Sequence, residues 1–117
     1  MVKNDFCERL KIKMDDYVHL IYRLTKEFPK EEFYNVTSQL KRSTLSIILN
    51  YIEGFARQKK AIKQNFWEIS YGSLKESKYL LNFSLKEGYI SRKEYESTIK
   101  LAEEIGAMLW RSLKSLK

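Results

Sequence analysis

Between Gln39 and Arg57 the chain reads QLKRSTLSIILNYIEGFAR. No other stretch constrains the fold as tightly. Wound at about 100° per residue, Gln39, Arg42, Ser46, Asn50, Glu53 and Arg57 follow one another at steps of three and four along one narrow line. Leu40, Leu45, Ile47, Ile48, Leu49, Tyr51, Ile52 and Phe55 fill roughly 200° of the remaining circumference, whereas a surface helix closes a core with a stripe of about 100°. Such a helix is expected to be covered on more than one side, by its own bundle and by another subunit. The polar line Gln39, Arg42, Ser46, Asn50 and Glu53 is then expected to be structural. Gln39, Asn50 and Glu53 should be largely buried and hydrogen-bonded, because buried polar groups find partners.

The rest of the chain supplies three more helices. Only four glycines and one proline interrupt 117 residues, which points to long regular elements. Helix 1 is expected from Asp5, an N-cap with Glu8 three residues on, to Phe28. Its stripe is Phe6, Leu10, Met14, Tyr17, Ile21, Leu24 and Phe28, and Pro29 ends it by driving the preceding residue out of helical conformation. Helix 2 is expected over Glu31–Arg57, its acidic first turn favoured by the macrodipole, with Gly54 weakening its end. Residues 57–63, RQKKAIK, read as the junction and the first turn of helix 3, which continues to Glu87. Ile62, Phe66, Ser70, Ser73, Leu74, Ser77, Leu81 and Ser84 form its expected inner face. The small serines admit a close neighbour, and each can bond back to a carbonyl one turn earlier. Tyr79 and Phe83 are expected to point away from that face.

The turn before helix 4 carries the sharpest local signal. Gly88 suits the left-handed position after a helix. Ser91 with Glu94 makes a capping box, and Ile90 with Tyr95 a hydrophobic staple. Helix 4 then runs from Arg92 to Leu116 on the stripe Tyr95, Ile99, Ala102, Ile105, Leu109, Leu113 and Leu116. Four helices with short connections make an all-α, antiparallel up-down-up-down four-helix bundle, one domain spanning residues 1–117.

Charge narrows the partners. Lys and Arg number 22 against 15 Asp and Glu, a net +7 that favours an acidic partner, nucleic acid first; the competing reading is solubility alone. Arg57, Lys59, Lys60 and Lys63 put four positive charges into seven residues with no acid. Arg111, Lys114 and Lys117 add a basic tail. Phosphate contacts by these seven would be strongly salt-dependent and weakly sequence-selective. Trp110, one turn before Lys114, either stacks on a base or packs at a seam.

Chemistry of other kinds is missing from the sequence. His19 is the only histidine, so neither a di-metal bundle site nor a second acid–base partner can be assembled. Glu53 followed four residues later by Arg57 reads as a structural ion pair, and Cys7 as a bystander. No glycine loop of the phosphate-cradling type occurs. The expectation is no catalytic residue, no metal and no cofactor. A single cysteine suits a reducing compartment, the first residues are too charged for a secretory signal, and no apolar run approaches the roughly 18 residues of a membrane helix. A cytoplasmic protein without a membrane partner is expected.

The chain resembles the four-helix-bundle proteins also called rRNA intervening-sequence proteins. The resemblance runs through Phe28, Pro29, Glu32, Thr37, Ser38, Gln39, Arg42, Ser46, Ile47, Asn50, Glu53, Gly54 and Arg57. It continues in Gly72, Ser73, Leu74 and Glu76, then in Gly88, Tyr89, Ile90, Tyr95 and Glu104–Ile105–Gly106, covering nearly the whole chain. Departures are Lys13–Met14 where Trp-Gln is common, Ile48 in place of proline, and Ile52 in place of alanine, which make helix 2 more regular and more apolar. Accessory proteins of diversity-generating retroelements share this fold and work with a reverse transcriptase and its RNA. The resemblance therefore implies a ring-like homopentamer and leaves a reverse transcriptase open as a partner. The expected function is a non-enzymatic oligomeric nucleic-acid or ribonucleoprotein accessory protein, contacting RNA or DNA; the alternative is a protein-interaction scaffold that binds no nucleic acid.

Overall fold

A computed structural model describes residues 2–117, with side chains from Asp5 onward. Four helices follow in order: α1 (Val2–Thr25), α2 (Val36–Phe55), α3 (Lys60–Lys86) and α4 (Arg92–Lys114), with a single 3-10 turn (Lys30–Glu32) between α1 and α2. Cross-helix contacts fix their directions. Ser46 meets Ser73 and Ile47 meets Ser70, and further along α2 the Tyr51 carbonyl meets Trp67, so α3 runs back along α2. Lys78–Glu103 and Tyr71–Trp110 reverse α4 against α3. Tyr22–Lys41 and Lys11–Phe55 reverse α2 against α1, and Lys13–Glu104 with Phe6–Arg111 reverse α4 against α1. The bundle is up-down-up-down, and its core is one cluster that includes Leu10, Met14, Tyr17, Ile21, Leu40, Ile47, Tyr51, Leu74, Leu81, Ala102, Ile105 and Leu109.

Helix boundaries differ from the sequence reading in several places: α1 already runs from Val2, so Asp5 lies in its first turn and is not its N-cap, α2 ends at Phe55 short of Arg57, and the α1–α2 corner differs most. Helix α1 stops at Thr25, whose hydroxyl donates to the Ile21 carbonyl at 2.8 Å and competes with the helical ladder. Helix α2 starts at Val36 and not at Glu31. Residues Pro29 to Asn35 are bonded three apart instead of four, with Glu32 N to Pro29 O at 3.0 Å and Phe33 N to Lys30 O at 3.1 Å. The corner is pinned from the opposite connection. Tyr89 sets its ring 5.3 Å from that of Phe28 and donates its hydroxyl to Glu32 Oε2 at 2.8 Å.

Helix α3 turns a slightly different face inward than expected. Trp67, Ser70, Leu74, Ser77, Leu81 and Ser84 are buried at alternating steps of three and four, the spacing of a bundle seam. Ile62 falls off this line and is exposed. Tyr79 is exposed as expected, whereas Phe83 packs against the core. The serines divide their hydroxyls: Ser77 and Ser84 bond back to carbonyls of their own helix, while Ser70 donates across to Ile47 O at 2.7 Å and Ser73 meets Ser46 at 2.7 Å. Small side chains let the helices come close enough for these bonds. At Gly54 the approach is tightest, since a Cβ there would lie 2.5 Å from Trp67 Cδ1. Gly54 is thus a packing contact more than a weak helix end.

The expected burial of the polar line is corrected. Gln39, Arg42 and Glu53 are exposed in the single chain, and Ser46 and Asn50 are half-buried. Asn50 Nδ2 donates to Ser46 O at 2.8 Å and to Ser46 Oγ at 3.0 Å. The core face of α2 centres on Leu40, Thr44, Ile47 and Tyr51, and the polar line sits roughly 130° around from it, at the edge toward α3. Opposite that edge lie Leu45, Leu49 and Ile52, left 36%, 56% and 46% exposed. The wide apolar arc is real, and one chain covers only part of it.

At the α3–α4 turn the left-handed glycine and the capping box of the sequence reading are both present. Gly88 has φ of 81°. Ser91 Oγ accepts from Glu94 N at 3.0 Å, and Glu94 Oε1 accepts from Ser91 N at 2.9 Å.

Candidate nucleic-acid interface

Antiparallel order places the end of α2, the start of α3 and the end of α4 at the same pole of the bundle. The seven basic residues singled out by sequence, Arg57, Lys59, Lys60, Lys63, Arg111, Lys114 and Lys117, therefore gather at one end although Lys63 and Arg111 lie 48 positions apart in the chain. Two concavities open there. A cavity of about 530 Å³ is lined by Cys7, Phe55, Lys60, Lys63, Trp67 and Leu116 among others. A smaller groove of about 220 Å³ runs between α3 and α4, with Tyr71, Trp110, Lys114 and Lys117 on its walls. Glu68 also lines it, and accepts from Gln64 Nε2 at 3.0 Å.

Individual cations differ in how free they are. Arg57 is held by Glu53 in the i,i+4 pair that the sequence spacing favours, and its guanidinium lies 5.3 Å from the Phe66 ring centroid. Lys63 sits over Phe55 and Trp67 at 5.8 and 5.6 Å. Arg111 turns toward α1, 5.8 Å from the Phe6 ring, and so leaves the groove that holds Lys114 and Lys117. Lys114 lies 6.0 Å from Trp110, whose ring tilts against Tyr71 at 5.8 Å. Among the described residues none of Lys59, Lys60, Lys63, Arg111, Lys114 and Lys117 forms an ion pair.

The start of α3 adds to the positive field. A helix N-terminus carries about half a positive charge, favours anions and disfavours nearby cations. Here Lys59 is the N-cap, no side chain caps the helix, and the first turn holds no acid. Beneath this pole the Tyr51 ring stacks on Trp67 at 5.1 Å. The Tyr51 hydroxyl is buried without a hydrogen-bond partner. Burial raises its pKa. The aromatic lining of the pole, Phe55, Phe66 and Trp67, was not read as part of a site from the sequence; each recurs three or four residues from a basic residue, which is the signal it left.

His19, on the outer face of α1, has Nε2 3.3 Å from Asp15 Oδ1. No helix of the described residues is long and apolar enough to cross a membrane.

Residues 9–111 match the sequence profile of the 23S rRNA-intervening sequence protein family. The chain belongs to that family. A crystal structure of a protein of unknown function from the S23 ribosomal protein family of Bacteroides thetaiotaomicron superposes with a TM-score of 0.83 at 27% identity, covering 90% of this chain and 98% of the other. No functionally curated protein matches the chain. As an intervening-sequence protein, the chain keeps the four-helix architecture of that relative over nearly its whole length, so its basic pole stands on a shared scaffold.

Proposed function

We propose that this intervening-sequence family protein is a non-catalytic nucleic-acid or ribonucleoprotein accessory module that works as a ring-shaped homopentamer in the cytoplasm. One observation carries the reading: six basic side chains without an ion pair converge at one pole, around an uncapped helix N-terminus. Fixed cations there are costly to the free protein and favourable once a phosphate backbone arrives. Lys59, Lys60, Lys63, Lys114 and Lys117 act as phosphate contacts, while Arg57 and Arg111 chiefly hold aromatic rings in place. The family's rRNA association makes RNA the first candidate. A reverse transcriptase acting on the same RNA is the protein partner that the retroelement resemblance adds.

Fluorescence anisotropy with labelled RNA and DNA across a salt series tests the proposal. Affinity should fall steeply between low and physiological salt, as counterion release requires. The variant carrying Lys59→Glu, Lys60→Glu and Lys63→Glu should lose duplex binding while keeping its helical content. A parent protein that binds neither nucleic acid at low salt overturns the proposal. The scaffold reading would then stand, supported by the exposed stripe Leu45, Leu49 and Ile52.

A further inference from the structure

The opposite pole holds a second feature. The corner that shortens α1 and delays α2 buries Phe28 and turns the next two aromatics outward, leaving Phe33 54% and Tyr34 91% exposed. Their rings meet edge to face, centroids 4.8 Å apart at 86°, an arrangement that leaves a flat ring face uncovered. Together they form the wall between two grooves. One, of about 500 Å³, is lined by Lys26, Phe28, Lys30, Thr37 and Lys41 besides the pair. The other, of about 350 Å³, is lined by Tyr22, Lys41, Arg42 and Leu45 besides the pair. Both lie in the size range of small-ligand clefts.

The charges around these rings are of one sign. Lys41 Nζ is seated between the Tyr22 ring at 4.9 Å and the Phe33 ring at 5.9 Å, so a cation is fixed beside the stacking surface. Among the described residues no carboxylate lines either groove. Glu32, an acid one residue before Phe33, is turned to other work: Oε2 accepts from Tyr89 at 2.8 Å and Oε1 from Asn35 at 3.0 Å. Glu27 and Glu31 line neither groove.

We propose that this α1–α2 corner is a stacking site for unpaired bases of a single-stranded nucleic acid, with Phe33 and Tyr34 as the platform and Lys26, Lys30, Lys41 and Arg42 as the phosphate contacts. Alternating aromatic faces and cations along a groove are what a single strand requires: every base has a face to stack, and every linkage a charge to meet. A duplex offers no free base face and gains only from the cations. The corner lies at the far end of α2 from the basic pole, a separation of about 30 Å over twenty residues. It is a separate contact that rests on the nucleic-acid reading of the protein and not on the basic pole itself.

The test compares the parent, the Phe33→Ala/Tyr34→Ala variant, Tyr34→Phe, and the triple Lys59→Glu/Lys60→Glu/Lys63→Glu variant. The probes are a short oligouridylate, a duplex of equal length, and an abasic oligomer with the same backbone. The double alanine variant is expected to lose about tenfold or more in oligouridylate affinity, the scale of one stacked base, with duplex and abasic binding unchanged. Tyr34→Phe, which keeps the ring, should bind as the parent does. Oligouridylate affinity unchanged by the double alanine variant, or lost equally for duplex and single strand, overturns the corner. So does a double variant whose assembly mass changes while affinity persists, because the corner is then a contact between copies of the chain. Failure of the general reading looks different: the parent itself then binds none of the three probes at low salt.

Discussion

Gly54 shows how much a single hydrogen can hold. Its missing side chain lets Trp67 lie against α2, with Nε1 donating to the Tyr51 carbonyl at 3.1 Å. An added methyl would meet Trp67 Nε1 at 2.6 Å and the Lys63 carbonyl at 3.1 Å, so the indole must move and its hydrogen bond must break. Gly54→Ala is expected to destabilise the fold by about 1–3 kcal/mol, the usual cost of overpacking, despite the better helix propensity of alanine. Urea denaturation measures it; a variant as stable as the parent would show that α3 shifts freely. Tyr89 gives a pH-dependent case. Its hydrogen bond to the Glu32 carboxylate, with burial and nearby acids adding, pushes its pKa up from 10.0 to about 12. The folded state thus holds the proton more tightly than the unfolded state. The contribution is complete below pH 10 and is lost as pH rises through about 12. The difference in stability between the parent and Tyr89→Phe should therefore shrink across that window, and absorbance titration should show Tyr17, Tyr51 and Tyr89 ionising late, with Tyr89→Phe removing one of these late steps. The Ser91–Glu94 box and Gly88 were legible because such signals are local in sequence. Trp67 was not, because what buries it is the space left by a glycine on another helix.

At the scale of elements, hydrophobic period gave the number and order of the helices, and proline and glycine gave their punctuation. Their ends shifted where a tertiary contact outweighed local preference, above all at the corner where Tyr89 reaches across to Phe28 and Glu32. The polar line of α2 was visible as a pattern, but its exposure was not, since periodicity alone does not say which arc a neighbour will cover. Helix α3 begins against ordinary helix chemistry, with Lys59 at the N-cap and Lys60 and Lys63 in the first turn. Lys59→Asp supplies a capping side chain and removes a cation from the positive end of the dipole. It is expected to stabilise the protein by about 1 kcal/mol and, in the same stroke, to weaken RNA binding severalfold. Chemical denaturation and anisotropy read the two effects on one sample. If stability rises with no loss of affinity, the start of α3 is only a poorly capped helix and takes no part in binding.

For the whole molecule, assembly turns on what covers the outer face of α2. Leu45, Leu49 and Ile52 follow one another along a single exposed line on the side away from the core. Repeated apolar surfaces of this kind are commonly buried in closed cyclic assemblies, and the family resemblance implies five copies. The wide arc was readable from sequence; the copy number was not, because the width of a stripe carries nothing about the angle at which one copy would meet the next. Leu49→Glu sets a charge in the middle of the line without touching the core or either basic pole. Light scattering at micromolar concentration is expected to give five times the 14.0 kDa chain mass for the parent and one chain mass for the variant. The same substitution should lower RNA affinity by about a hundredfold, because linking weak sites raises avidity through effective concentration by 10²–10⁴. A parent that is monomeric, or a Leu49→Glu monomer that binds RNA as tightly as the parent, would separate assembly from binding and leave the poles to act one chain at a time.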